Sequence, residues 1–303
     1  AGIRESAART LEYSYDDWCI YTFGKALGKD EEQLAPYAKA ALNYRNLFDP
    51  EYRLMAGKKL DGGFARPFSP LKWGGDFTEG NSLHYTWSVF HDPDGLVELM
   101  GGEDAFIAKL DSVFTIPPLY DDSYYGGTIH EIREMQVMNM GNYAHGNQPI
   151  QHMLYLYDWG GQPWKAQQRI REVMDKFYNS NFDGYCGDED NGQTSAWYVF
   201  SAMGFYAVCP ASDQYAMGTP LFKKVTLTFP SGKKTVLSAP SNSKDNFFVD
   251  AVKLNGKSWD KDYFTHKDLT RGIRVSYSMS PTPNKRRGSD LKDRPYSFSR
   301  NIE

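Results

Sequence analysis

The hydrophobic periodicity of the chain changes near Pro220, and this change divides the sequence into two regions. Before Pro220, apolar side chains recur at spacings of three and four residues, which is typical of amphipathic helices. After it, alternating segments such as KVTLTF (224–229) are separated by short turn sequences, which is typical of antiparallel strands. We therefore expect a helical region over residues 1–217 and a β-rich region over residues 218–303.

Four helices are predicted in the first region. One spans residues 11–28 and another spans 37–48, and together they form a helical hairpin. A third begins near Pro163, because proline suits the first turn of a helix. A fourth, over 194–206, is apolar on almost every side and is expected to be buried all round. Four helices do not close a shell around a core, so we expect a further N-terminal portion to complete the fold.

The composition excludes several classes of protein. With 303 residues, 41% of them hydrophobic, the chain can fill a core and is expected to be globular. The net charge is -4 and basic residues are scattered apart from the run 285–287, which argues against a nucleic-acid partner. No apolar run approaches the roughly 20 residues that span a bilayer. The three cysteines are far apart, so they predict neither a disulfide framework nor a zinc site.

The segment GGDFTEGNSLHYTW (74–87) is the first candidate for chemistry. Glu79 precedes a glycine, where the backbone can approach a ligand, and aromatic residues including Trp87 are expected to form the wall of a pocket. A second interpretation is purely structural. Thr78 would cap a helix, and Glu79 would favour the positive end of that helix.

The segment GGTIHEIREM (126–135) is the second candidate. His130 lies next to Glu131, and Glu134 lies one helical turn after the histidine. The HExxH zinc motif is not present, because the second histidine is missing. From spacing alone, the segment is more typical of a solvated helix start than of a site.

The segment NYAHGNQPIQH (142–152) is the third candidate. Asn147 and Gln148 carry amide groups that suit a hard cation or a polyhydroxylated ligand, since both need oxygen donors or bidentate amides. Asn and Gly are also common turn residues, and turn formation explains the same sequence.

The segment GYCGDEDNGQTSAWY (184–198) crowds three acidic side chains into one loop. Repulsion would raise the pKa of at least one of them unless a cation or ordered water keeps it ionised, which favours a metal nearby. Hydrolysis of a glycosidic bond with inversion needs a general acid and a separate general base, and Glu79 with Asp188 and Asp190 suits these roles. Glu189 receives no role and is expected to point to water. The competing interpretation is a solvated acidic turn.

Five motifs occur in an order that resembles glycoside hydrolase family 92, the calcium-dependent, inverting exo-α-mannosidases. They are FTEGNSLHYTW, HDPDGLVELMGG, HEIREM, HGNQPIQHMLYLYDWGGQPWKAQQ and GDEDNGQTSAWYVFSAMGFYAVCP. The resemblance covers nearly the whole chain. It implies an N-terminal β-sandwich followed by an (α/α)6 barrel, of which this chain would hold the later helices and the C-terminal antiparallel β region. The missing N-terminal portion of the same protein would then be its partner.

The resemblance also implies roles for individual residues. Glu79 would be the general acid, and Asp188 and Asp190 would supply the general base. The pair His130 and Glu131 matches the pair that α-1,2-selective members use to hold the leaving mannose.

Calcium is the cofactor that the resemblance implies. Its ligands would come from Glu134, Asp190 and the turn at Asn147 and Gln148. The family's usual turn is H-G-N-E-P-x-H-H, whereas this chain has Gln148 in place of the glutamate and Gln151 in place of the first histidine. An amide oxygen carries no charge, so we expect weaker calcium binding.

The hypothesis from sequence is therefore an inverting, calcium-dependent exo-α-mannosidase that removes terminal α-1,2-linked mannose from mannose-rich glycans. Trp87 and Asn147 are expected to contact the substrate beside His130 and Glu131. An intact Glu79 argues against members that cleave mannosyl phosphates. The alternative is a non-catalytic mannose-binding protein on the same scaffold. The resemblance implies a periplasmic or secreted location.

Overall fold

The computed structural model describes residues 3–301, which form two compact units. The first unit contains the residues up to Ile150 and those from Ser297 onward, and the second is Gln151–Tyr296. The predicted boundary between residues 217 and 218 marks a change of periodicity, whereas these units are defined by compactness. These units do not test the predicted domain boundary between residues 217 and 218, which stays a prediction.

Helices dominate the first unit. Its helices are α1 (Ser6–Ala26), α2 (Glu31–Ala40), α3 (Ser82–Tyr85), α4 (Pro93–Met100), α5 (Glu103–Thr115) and α6 (His130–Met138). Two short strands, β1 (Phe48–Asp49) and β2 (Leu54–Met55), pair antiparallel. Among the described residues, no helix of either unit is both long and apolar enough to cross a membrane.

The predicted helical hairpin is formed by α1 and α2. Gly24 of α1 allows close approach, since a Cβ there would lie 2.4 Å from the Leu34 side chain of α2. The second helix begins earlier than expected, because Glu31 and Glu32 stabilise its positive end. Residues 43–47, predicted as its continuation, form a 3-10 helix instead.

Asp92, a buried aspartate, links the segment 297–299 to the start of α4 through hydrogen bonds. Asp92 caps α4 and accepts hydrogen bonds from the Tyr44 hydroxyl (2.7 Å), the Ser297 hydroxyl (2.9 Å) and the Ser299 N–H (2.8 Å). Burial by itself would raise the pKa of Asp92, but the hydrogen bonds from Ser299 and Tyr44 outweigh burial and hold the pKa below its ordinary value. Asp92 is therefore a stable buried carboxylate.

The second unit combines helices with most of the strands. Its elements are α7 (Pro163–Phe177), α8 (Gln193–Met203), β3 (Phe205–Tyr206), β4 (Gln214–Met217), β5 (Lys224–Thr228), β6 (Lys234–Ser238), β7 (Phe248–Leu254), β8 (Lys257–Ser258), β9 (Tyr263–Thr265), α9 (His266–Thr270) and β10 (Arg274–Ser280). The strands predicted at 224–229, 249–254 and 273–277 are confirmed within one to three residues at each end.

The larger sheet has the order β5-β6-β10-β7-β8. The sequence predicted an antiparallel sheet, and this is wrong for one pair. Strand β10 inserts between β6 and β7, and it is antiparallel to β7 but parallel to β6. Alternate residues of β10, including Val275 and Tyr277, are buried in the core of the sheet.

Helix α8 is only partly buried, which corrects the prediction of a helix buried all round. Thr194 and Trp197 are buried, but Ala196 is exposed and Val199 is 53% exposed. The helix ends at Met203, and the residues predicted as its last turn form β3.

A second buried aspartate, Asp158, lies in this unit. Unlike Asp92, it has no hydrogen-bond partner for its carboxyl among the described residues. Its side chain is fully buried. Burial raises the pKa of Asp158 well above its ordinary value, and the neighbouring carboxyl of Asp262 raises it further. Burial therefore favours the protonated, neutral form of Asp158 in the folded protein.

Candidate active site

Three of the predicted motifs meet in the first unit. Trp73, directly before GGDFTEG, forms an apolar cluster with Ile132 and Met135 of α6 and with Ala144 of the segment NYAHGNQ. Each of these side chains is buried. The cluster brings together segments that lie about 60 to 70 residues apart in sequence.

Glu79 lies in the loop before α3 and is exposed. Its backbone is left-handed (φ 45°), which costs roughly 1–3 kcal/mol for a residue with a side chain. Two distant side chains hold this conformation. The Glu79 N–H donates to the Tyr125 hydroxyl (3.0 Å), and its carbonyl accepts from Asn147 Nδ2 (2.6 Å). The loop is thus fixed from both sides while the residue remains accessible.

The helix after Glu79 is capped by Asn81, so the interpretation that Thr78 caps it is wrong. Asn81 Oδ1 accepts the His84 N–H (3.2 Å), and His84 Nδ1 accepts the Asn81 N–H (3.3 Å). His84 Nε2 donates to the Asn142 carbonyl (2.8 Å), which joins this segment to the third motif. Burial lowers the pKa of His84 to about 4, so its ring is neutral at neutral pH.

The aromatic residues predicted to form a pocket wall lie in the core. Trp73, Tyr85 and Trp87 are buried, and the Trp87 indole donates to the Leu83 carbonyl (2.8 Å). Burial gives Trp87 a packing role within its unit. The aromatic residue that contacts Glu79 is Tyr125, which the sequence reasoning missed. Its signal is the pair of tyrosines directly before GGTIHEIREM.

The first turn of α6 groups three of the predicted residues. His130 Nδ1 lies 3.0 Å from Glu134 Oε1, and His130 Nε2 lies 3.3 Å from Glu131 Oε1. The prediction of a solvated helix start is confirmed for His130, whose side chain is 57% exposed.

Glu131 differs from His130 and Glu134 because it is buried. Its second carboxyl oxygen, Oε2, has no hydrogen-bond partner among the described residues. A buried carboxylate oxygen without a donor is costly, and a ligand hydroxyl or a cation would remove that cost.

The turn at Asn147 and Gln148 supports the loop of Glu79. Asn147 is buried, its Nδ2 is bonded to Glu79, and its Oδ1 accepts the Gln148 N–H (3.1 Å). Both ends of the amide are therefore engaged inside the protein, which favours positioning over substrate contact. Gln148 Nε2 is buried and has no hydrogen-bond partner in the described part of the chain.

The acidic loop lies in the second unit, and its middle residue has a structural role. Glu189 Oε2 accepts the Gly192 N–H (2.8 Å), while Oε1 accepts the N–H (3.3 Å) and the hydroxyl of Ser195. These bonds, that of the Ser195 hydroxyl first, lower the pKa of Glu189. The expectation that Glu189 points to water is wrong, because it binds the N-terminus of α8.

Asp188 and Asp190 are exposed on either side of Glu189. The Asp188 carbonyl accepts the hydroxyl of buried Thr194 (3.0 Å), and the Asp190 carbonyl accepts the Gln193 N–H (3.3 Å). The backbone of Asp190 is left-handed (φ 52°). The loop is thus shaped by the start of α8, with the two aspartates left accessible.

The oxygen donors predicted to bind calcium are divided between the units. Glu134 and Gln148 belong to the first unit and Asp190 to the second. Within residues 3–301, no group of three or more His, Cys, Asp or Glu side chains is arranged to hold a metal. The donor set nevertheless has the chemistry of a calcium site, since calcium accepts carboxylate, amide and backbone oxygens.

Comparison with known proteins gives one consistent result. Residues 1–281 match the glycosyl hydrolase family 92 catalytic domain. The chain is 55% identical to a solved inverting mannosidase of family GH92 from Bacteroides thetaiotaomicron VPI-5482, with a TM-score of 0.88 over 98% of this chain. It is 36% identical to a GH92 α-mannosidase from the same species, solved with mannoimidazole, with a TM-score of 0.88 over 97% of this chain.

The matched proteins are much longer than this chain. The chain spans 40% of the first solved structure and 38% of the second. A curated relative from Arthroderma benhamiae, described as an uncharacterized secreted glycosidase, is 26% identical over 294 residues, which are 88% of this chain and 34% of the relative.

Proposed function

The chain belongs to glycosyl hydrolase family 92, and from this premise we propose that it carries catalytic residues of an inverting exo-α-mannosidase. The observation that carries the proposal is the 55% identity to a solved inverting mannosidase along 98% of the chain. We further propose that its helices belong to an (α/α)6 barrel, completed by an N-terminal portion of the same protein, and that the protein acts in the periplasm or outside the cell.

In the proposed reaction, Glu79 is the general acid. It protonates the glycosidic oxygen as the bond to the anomeric carbon breaks. Asp188 and Asp190 supply the base that removes a proton from the attacking water on the opposite face of the sugar. The exposure of all three residues and the fixed backbone of Glu79 support these roles.

His130 and Glu131 are proposed to bind the leaving mannose of an α-1,2 linkage. The buried Glu131 Oε2 suits a hydroxyl donor, because it has no partner among the described residues. The contacts of His130 with Glu134 (3.0 Å) and Glu131 (3.3 Å) orient its exposed ring, which supports the proposed contact with the sugar.

Calcium is the proposed cofactor, held by Glu134, Gln148 and Asp190. When bound, the ion would coordinate hydroxyls of the mannose and stabilise a distorted ring. The neutral amide of Gln148 predicts weaker binding than a carboxylate would give.

Linkage-defined substrates test the proposal. The protein is incubated with α-1,2-, α-1,3- and α-1,6-mannobiose, and released mannose is quantified. We expect mannose to be released from one or more of these disaccharides, and fastest from the α-1,2 isomer. Binding of mannobiose without release would overturn the enzymatic proposal in favour of a mannose-binding protein.

A chelator experiment tests the cofactor separately. Treatment with EGTA is expected to abolish turnover, and added calcium is expected to restore it better than magnesium. Full activity in the presence of EGTA would remove calcium from the proposal and leave the acid and base assignments unaffected.

A further inference from the structure

A cavity of about 400 Å³ lies in the second unit, next to the segment that leads into the acidic loop. Its volume is within the range of small-ligand sites, roughly 300–1,000 Å³. The residues that carry the argument are Tyr178, Asn179, Asn181, Phe182, Tyr185 and Tyr198, all of which line it. None of the reactions proposed above uses this cavity.

One wall of the cavity is rigid. Tyr178 stacks on the buried Trp197 of α8, with ring centroids 5.8 Å apart and an interplanar angle of 12°. Its ring also contacts Tyr198 at 4.7 Å and meets Tyr185 edge-on at 6.0 Å. Because Trp197 is fully buried, these rings are positioned before any ligand arrives.

The other lining residues belong to a tight loop that presents one aromatic ring. The Asn179 N–H donates to the Gly184 carbonyl (3.2 Å), and the Asn181 N–H donates to Asn179 Oδ1 (2.9 Å). A Cβ at Gly184 would lie 2.3 Å from the Asn179 carbonyl oxygen, so glycine is needed there. Phe182, near the tip of this loop, is fully exposed. The loop therefore holds an uncovered phenyl ring beside the cavity.

The chemistry of the lining selects a neutral ligand with both apolar and polar faces. The lining residues described by the structure include no Lys, Arg, Asp or Glu, which argues against a charged ligand. Aromatic faces contact the C–H face of a pyranose ring, while the amides of Asn179 and Asn181 can bond to its hydroxyls. A fatty chain has no hydroxyls to bond to the amides, and a phosphate has no apolar face to contact the aromatic rings.

The position of the cavity connects it to the proposed substrate. Tyr185, which lines it, precedes Asp188 by three residues, so one segment serves both the cavity and the proposed base. We propose that this aromatic pocket binds a pyranose unit of the glycan other than the mannose that is released, as a remote subsite. This proposal rests on the proposed function.

Steady-state kinetics with a branched mannose-rich oligosaccharide test the subsite. For Phe182→Ala and Tyr185→Ala, KM is expected to rise about tenfold, the effect of losing about 1.4 kcal/mol of contact, with little change in kcat. A nitrophenyl α-mannoside has no remote sugar, so its KM should rise far less. Phe182→Trp keeps an aromatic face and should restore the parent KM.

Phe222→Ala is the matched control, because Phe222 is a half-exposed phenylalanine of the same unit outside the pocket. Its KM for the oligosaccharide should equal that of the parent. Equal KM values for Phe182→Ala and the parent, or a lower Tm without a change in KM, would overturn the subsite and indicate that another protein surface covers Phe182.

Binding separates failure of the subsite from failure of the proposed function. If the parent protein releases no mannose, the oligosaccharide is titrated by calorimetry instead. Affinity that falls about tenfold in Phe182→Ala supports the pocket without any catalysis, whereas unchanged affinity overturns it.

Discussion

Glu79 and the acidic loop are held in different ways. Glu79 is held by Tyr125 and Asn147, which lie 46 and 68 residues away. The acidic loop is held by residues that follow it directly, because Glu189 binds the first N–H groups of α8. The proposed acid therefore depends on tertiary contacts and the proposed base on a local helix cap, so the two should respond differently to mutation.

The two buried aspartates repeat this contrast. Asp92 in the first unit accepts hydrogen bonds from both chain segments of that unit, through Tyr44 and Ser297. Asp158 in the second unit has no partner for either oxygen among the described residues. Hydrogen bonds outweigh burial and hold the pKa of Asp92 below its ordinary value. Burial and the carboxyl of Asp262 raise the pKa of Asp158, and the positive charge of Arg287 offsets this only in part.

The largest expected effect belongs to the proposed acid. Glu79→Gln should lower kcat on α-1,2-mannobiose by about a thousandfold, since general acid catalysis contributes that much to a poor leaving group. A nitrophenyl mannoside, whose leaving group needs no proton, should lose far less. Glu32→Gln, an exposed carboxylate of the same unit, serves as the control. Equal losses on both substrates would contradict the assignment.

The proposed base predicts a different pattern. Asp188→Asn or Asp190→Asn should lower kcat about a hundredfold on both substrates, because the attacking water must lose a proton whatever leaves. The variant with the greater loss identifies the base. Azide is an anionic nucleophile with no proton to lose, so it needs no base and should restore turnover in that variant. If both variants keep rates near the parent's, the base lies elsewhere.

Loss of a hydrogen bond that holds Glu79 from a distant part of the sequence should have a smaller effect on kcat. Asn147→Ala deletes the hydrogen bond to the Glu79 carbonyl, and kcat on mannobiose should fall about tenfold because the acid is less well positioned. The ratio of the rates on mannobiose and the nitrophenyl mannoside should fall as well, which a general loss of stability would not produce. Gln136→Ala, on the exposed side of α6, is the control.

Asp158→Asn should stabilise the protein. The folded-state pKa of Asp158 is raised, so below pH 3.8 both states hold the proton and nothing is lost. Above pH 3.8 the unfolded chain releases the proton while the folded protein keeps it, and stability falls. The amide avoids this loss, so the gain in the free energy of unfolding should appear above pH 3.8 and grow as the pH rises towards neutral.

Denaturant unfolding at several pH values measures this gain. Asp92→Asn is the matched comparison and should lose stability above pH 3.8, because its folded-state pKa is lowered. A loss of stability in Asp158→Asn at neutral pH would show that Asp158 is ionised and bonded.

The smallest effect is expected at the helix cap. Glu189→Ala should lower Tm, because the first N–H groups of α8 lose their acceptor. The folded-state pKa of Glu189 is lowered, so the difference from the parent should be full above pH 4.5 and shrink as the pH falls below it. Asp245→Ala, an exposed acid of the same unit, should leave Tm unchanged.

Local patterns in the sequence predicted four of the α-helices (α1, α2, α7 and α8) and three of the strands that the described residues form. Alternation placed β5, β7 and β10 within a few residues, and the helix at Pro163 begins where proline suits the first turn. Periodicity cannot specify how strands are ordered, so the parallel pair of β6 and β10 was missed.

The sequence motifs predicted the residues of the candidate site, but not the residues that hold them in position. The pair of tyrosines before GGTIHEIREM marks Tyr125, but the sequence does not show which residue it contacts, since its bond to Glu79 forms only after the chain folds. Trp87 was assigned to a pocket because an indole suits both a sugar face and a core, and burial decides between them. Glu189 was left without a role, although an acid close before a helix suits the positive N-terminal end of that helix.

The central claim is that Glu79 and the Asp188–Asp190 loop act as an inverting acid and base. It is tested most directly by NMR of the mannose released from α-1,2-mannobiose, recorded before the anomers equilibrate. The account predicts that β-mannose appears first. Initial release of α-mannose would mean retention, and would contradict the assignment of these residues.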